Sequence, residues 1–264
     1  MTSGAPLGIS VAYSGARSSV RWEGRTIDGR GQFERYVRDV VRPRLADEEL
    51  SFDTHMRGLA TTGVETRYVE RLLHAVPERK AWEVGEAFAE CVLRDHSDGE
   101  VHWPWNTVRD RRTPRASLPG ADLVGFYRDG AEVLLLVGEV KTSSDHRTPP
   151  GVMSGGRGMA WQLAEIPARL DVQRALLQWL YARCQTPLHL RLFGEAVERY
   201  VASEGTALLL AGVLIRDTAP SETDLKAQGG ALADHFDEPT RVELVAWYLP
   251  VTLAAWTALA QGVS

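Results

Sequence analysis

An apolar run, Leu134-Leu135-Leu136-Val137-Gly138, ends in Glu139-Val140-Lys141, and Asp122 stands 17 residues before Glu139 in Pro119-Gly120-Ala121-Asp122. Side chains alternate along a strand, so Glu139 and Lys141 share one face and Val140 takes the other. A strand interior is a costly place for charge, because an unpaired ion removed from water loses its hydration. An acid and a base set together at the end of such a run point to chemistry rather than packing. The competing possibility is an ordinary Glu-Lys pair where a strand emerges into solvent.

Several elements must position these residues. Asp122–Tyr127 and Val133–Lys141 read as strands, and Arg128-Asp129-Gly130 between them is a turn signal, so the spacing puts both carboxylates at one end of a hairpin. Glu78–Asp95 reads as a helix with Trp82, Gly85, Ala89, Val92 and Leu93 on one face, and with Glu83, Glu86 and Glu90 on nearby faces. Residues 142–158 contain Pro149-Pro150-Gly151 and Gly155-Gly156 and read as a mobile loop. Met159–Tyr181 reads as a long helix, kinked near Pro167, with Gln162 in its first turn. Ala207–Ile215 and Val242–Leu249 read as strands. Ser221–His235 reads as a helix with a capping pattern at Ser221 and Asp224, and Val251–Ala260 as a closing helix. Upstream, a short strand is expected around Ile9–Tyr13, an amphipathic helix over Gln32–Leu45 limited by Pro43, and a second short helix around Val69–Val76. The expected fold class is α/β, a mixed central sheet flanked by helices. Residues 1–76 form a mostly helical elaboration packed on a core of residues 77–264.

Composition narrows the function. Hydrophobic content of 44% and charged content of 25% are ordinary for a water-facing globular chain. A formal net charge of -5 announces no global basic field for nucleic acid, although a local basic groove is compatible with it. The two cysteines, Cys91 and Cys184, suit a reducing compartment and make neither a disulfide framework nor a Cys-rich zinc site. No signal peptide and no bilayer-spanning run are expected, which gives a cytoplasmic protein with no membrane partner.

The order of a helix glutamate, Pro-Gly-Ala-Asp122, Glu139-Val140-Lys141 and a helix carrying Gln162 resembles the PD-(D/E)xK nuclease superfamily, the fold of many restriction endonucleases. The resemblance covers roughly residues 79–215 and implies a restriction-endonuclease-like sheet. Gln162 is similar to the helix glutamine of the RecB-like branch, but that branch has a Tyr one turn later where Ile166 stands here. The stand-alone size, the helical preface and the phrase Gly138-Glu139-Val140-Lys141-Thr142-Ser143 also resemble the nuclease subunit of the bacterial Hachiman antiphage system. That likeness implies a helicase-like partner that restrains the nuclease and supplies much of its DNA affinity.

The resemblance implies a chemistry. Phosphodiester hydrolysis needs a hydroxide at neutral pH and neutralised charge on the phosphoryl group, which divalent cations supply. Mg2+ or Mn2+ prefers oxygen donors, so Asp122 and Glu139 would be ligands, with the Val140 carbonyl a third. Lys141 would orient or deprotonate water, or stabilise charge at the phosphate. Glu86 is the helix carboxylate that best matches an added metal ligand, with Glu90 one turn on as the other choice. The Arg-rich stretch Arg109–Arg115 could meet phosphates, and Trp103 and Trp105 could stack on bases or lie buried beneath it. His96, His102 and His146 lack metal-ligand spacing, and Gly155-Gly156-Arg157-Gly158 lacks the ending of a phosphate loop. The expected activity is metal-dependent hydrolysis of DNA. The alternatives are a non-cleaving nucleic-acid-binding or regulatory module on the same fold, and a hydrolase of small phosphoesters.

Overall fold

The computed structural model describes residues 7–48, 51–75, 80–106, 110 and 120–262. The expected hairpin is present as β4 (Leu123–Asp129) and β5 (Glu132–Ser143). The two strands pair antiparallel from Asp129 opposite Glu132 to Leu123 opposite Gly138. They lie in a seven-stranded mixed sheet of order β1-β2-β7-β6-β5-β4-β3, where β1 is Ile9–Arg17, β2 Val20–Ile27, β3 Glu100–His102, β6 Leu208–Arg216 and β7 Arg241–Tyr248. Strands β5, β6 and β7 run parallel, so helical crossovers must return the chain across the sheet faces. Both faces are therefore covered, and β6 reads as a continuous apolar run, buried throughout.

One face packs under α1 (Arg30–Tyr36), α2 (Arg42–Ala46), α5 (Ala81–His96) and α10 (Leu253–Gln261). Its centre is Phe88, edge-on to Phe33, Trp247 and Trp256 with centroids 5.5–6.1 Å away. The other face packs under α6 (Met159–Ala168), α7 (Leu170–Tyr181), α8 (Pro187–Ala202) and α9 (Lys226–Ala233). The remaining helices, α3 (Phe52–Leu59) and α4 (Gly63–His74), pair with each other. A capping box at Thr62 and Glu65 starts α4.

Several expectations need correction. Residues 1–76 are not only a helical preface, because β1 and β2 belong to the sheet, and β2 runs parallel to β7 from Val20–Val242 to Thr26–Tyr248. Pro43 does not end its helix. It has no N–H for the Asp39 carbonyl, and a wider π turn over Val37–Val41, closed by the Arg42 N–H on the Val37 carbonyl, carries the chain into α2. Ser221 makes no helix cap. Its hydroxyl bonds Thr223, a short 3-10 turn follows, and the helix starts only at Lys226. Asp224 is instead drawn inward to Arg216, 2.6 Å away with neither side chain exposed, and a buried counter-ion outweighs a surface cap. Helix α8 was not anticipated at all. Met159–Tyr181 is broken as expected near Pro167, at Arg169.

Candidate active site

Asp122 sits immediately before β4, where its N–H still donates to the Gly138 carbonyl at 2.9 Å. Its carboxylate takes over the next ladder position and accepts from the Val140 N–H at 2.9 Å. An N–H and C=O of one strand residue point to the same edge, so the Val140 carbonyl also faces the edge where β4 has ended. Strand β5 thus presents the Asp122 carboxylate and the Val140 carbonyl at its open edge. On its face it presents Glu139 and Lys141.

That face belongs to α6. Glu139 and Lys141 stand beside Gly212 and Leu214 of β6. Gly212 permits a close approach there, because a Cβ would lie 2.5 Å from a Leu244 methyl and 2.6 Å from the Met159 sulfur and would force both side chains to shift. The close approach lets Gln162 reach over the strand, where its side-chain oxygen accepts a short hydrogen bond from the Lys141 ammonium. The same ammonium donates to Glu139 Oε2 at 3.2 Å. Glu139 is only 3% exposed. Burial first, then the Asp122 charge and a hydrogen bond with Asp122, push its carboxyl up to about 8, while Lys141 pulls the other way. Two carboxyl groups set close together beside a lysine offer hard oxygen donors, the kind a divalent cation such as Mg2+ takes.

Asp122, Glu139, Val140, Lys141 and Gln162 are therefore brought together from the approach to β4, from β5 and from α6. Glu86 is not drawn into a ligand group with them. It is buried on α5, which packs on the opposite face, where Gly85 leaves room for Thr142 and Val140. Among the described residues no group of three or more His, Cys, Asp or Glu gathers to hold a metal. Glu90 is committed elsewhere. It is 1% exposed and accepts from Arg44 Nε at 2.6 Å, while Arg44 also donates to the Trp105 carbonyl at 2.5 Å.

The tryptophans are structural. Trp105 is fully buried, donates to the Val124 carbonyl at 2.5 Å and meets Trp179 edge-on. Trp103 donates to the Glu90 carbonyl at 2.9 Å. The Arg109–Arg115 stretch lies outside the described residues except for Asp110, which accepts from the Asn106 N–H and pairs with Arg183 at 3.4 Å. Residues 142–158 contain two short 3-10 turns, Gly151–Met153 and Gly155–Arg157. Asp145 accepts from the N–H groups of Arg147 and Gly151, and Met153 is buried. Sequence reasoning missed Arg216, which anchors this segment. Its signal is a charge at the end of an apolar strand, the same signal that drew attention to Glu139.

No protein-family model matches the chain, and no curated protein matches its sequence. No helix among the described residues is long and apolar enough to cross a membrane.

Proposed function

We propose that this chain is a metal-dependent nuclease that hydrolyses DNA phosphodiester bonds on a restriction-endonuclease-like core. The observation that carries the proposal is the convergence of Asp122, Glu139, Lys141 and Gln162 at one end of the β4–β5 hairpin. Asp122, Glu139 and the Val140 carbonyl would hold Mg2+ or Mn2+. The bound ion would lower the pKa of a water ligand and neutralise charge on the phosphoryl group.

The chain's own residues do the rest. Glu139 would release its proton to solvent and serve as a ligand in its carboxylate form. Lys141, steered by Glu139 and Gln162, presents its ammonium toward the space beside the carboxylates, where it orients water or a phosphate oxygen. Gln162 fixes that ammonium by accepting a hydrogen bond from it, and with Glu139 accepting a second, one N–H is left for substrate. A further part of the proposal is that a helicase-like partner restrains cutting, as in an antiphage defence effector; such a partner would supply much of the DNA affinity that a chain of net charge -5 lacks.

The test separates metal binding from cleavage. Manganese binding is measured by calorimetry and cleavage on a fluorescent duplex. Lys141→Ala should keep manganese binding and lose cleavage; Asp122→Ala should lose both. Wild-type cleavage rates in either variant would exclude this site.

A further inference from the structure

We propose that Arg216 is a positioning residue for this site, clamping the segment between Ser143 and Met159 and so fixing where Gln162 meets Lys141. The inference rests on the nuclease reading for its consequence in turnover, and on geometry for the clamp itself.

Arg216 is the last residue of β6, in register with Ser143 of β5 and Tyr248 of β7. Neighbouring strands share a face at paired positions, so Glu139–Gly212, Lys141–Leu214 and Ser143–Arg216 follow one another along the face that bears the site. The Arg216 guanidinium is completely buried. One terminal nitrogen pairs with Asp224 at 2.6 Å and donates to the Arg147 carbonyl at 3.2 Å. The other donates to the Asp145 carbonyl. A planar fork holding two backbone carbonyls fixes a chain segment in a way that a single ammonium does not.

The clamped segment leads to Gln162 through a series of close contacts. Asp145 accepts from the Gly151 N–H at 3.0 Å. Met153 is buried, and its carbonyl lies so close to Gly158 that no Cβ fits there. The Gln162 N–H donates to the Gly158 carbonyl at 3.0 Å. Behind Arg216, the Tyr248 hydroxyl donates to the other Asp224 oxygen at 2.8 Å and meets the Tyr13 hydroxyl at 2.9 Å, which ties the clamp to β1.

Stability alone is a poor reason for this arrangement. Among the described residues the buried Arg216 Nε meets no hydrogen-bond partner, and replacing a buried ion pair by apolar groups is often neutral or stabilising. What the pair supplies is the position of two carbonyls.

The test uses the full chain with Arg216→Lys, which keeps the charge beside Asp224 but loses the fork, and with Arg216→Met plus Asp224→Asn, which removes both charges. Two readouts do not depend on activity: hydrogen exchange over residues 144–158 and the NMR signal of the Gln162 side-chain amide. Exchange in the segment should quicken about tenfold in both variants, as expected for losing hydrogen bonds to a charged group, with α5 and β4 unchanged. The Gln162 signal should shift, and kcat for DNA cleavage should fall about tenfold at nearly constant KM. Wild-type exchange, or faster exchange with an unmoved Gln162 signal, in a folded variant overturns the proposal. If the double variant fails to fold, Arg216→Lys decides by the same readouts. If both readouts change and the wild type does not cut DNA, the positioning stands and the nuclease reading falls.

Discussion

Glu139 ties the site to pH. Its carboxyl is held at about 8, first by burial and then by Asp122, against an ordinary value near 4.3. An acid with a raised folded-state pKa contributes stability that is present below the ordinary value and is lost as pH rises through the folded value. Metal-free protein should therefore lose up to about 4 kcal/mol between pH 5 and pH 8.5 through this residue, and Glu139→Gln should remove that loss in thermal melts. Manganese should raise the melting temperature more at pH 8.5 than at pH 6, where it must displace a proton. Equal shifts at both values would argue against Glu139 as the ligand. Much of this was legible in the sequence. Two charges at the end of Leu134–Val137 had no packing reason to be there, and the spacing to Asp122 matched a hairpin. The Glu90 ion pair was not legible, because its partner Arg44 lies 46 residues away and only the fold brings them together.

At the scale of elements, Gln162 reaches Lys141 only because α6 lies tight on β6. Gly212→Ala should cost about 1–3 kcal/mol through overpacking against Leu244 and Met159. Chemical denaturation measures that cost, and cleavage should fall with it as α6 is pushed outward. Removing Glu90 takes away the carboxylate that meets Arg44 Nε at 2.6 Å, at a guanidinium only 7% exposed. Glu90→Ala should cost about 3–5 kcal/mol while leaving manganese affinity unchanged; a lost metal site would instead make Glu90 a ligand. Strands and helices with one dominant signal were readable: β6 by its apolar run, α5 by its apolar stripe, and the break at Pro167. Elements with competing signals were not. Strand β2 alternates Val20, Trp22 and Gly24 with Arg21, Glu23 and Arg25, and the three charges mask its apolar period. At Ser221 a surface cap competed with the buried Arg216 and lost Asp224 to it. For α8, Thr186 before Pro187 is a helix-start signal, and its hydroxyl indeed accepts from the His189 N–H at 3.1 Å.

Across the whole molecule, the sheet runs from the N-terminal hairpin to the site. Strand β2 covers the edge of β7, and Trp22 packs against Gly229 of α9. Residues 77–264 alone would expose β7 as an unpaired edge and strip Phe88 of Phe33 and Tyr36. That fragment should not give a cooperative thermal transition, whereas the full chain should. Pairing between residues some 220 positions apart leaves no local trace, which is why the sheet order could not be read from the sequence. The most direct measurement is plasmid nicking by the purified full chain, with magnesium or manganese against EDTA, and wild type against Glu139→Ala plus Lys141→Ala. Metal-dependent nicking that disappears in the double variant is the expected result. Nicking that survives in EDTA or in the double variant would contradict a metal-dependent nuclease centred on Asp122, Glu139 and Lys141.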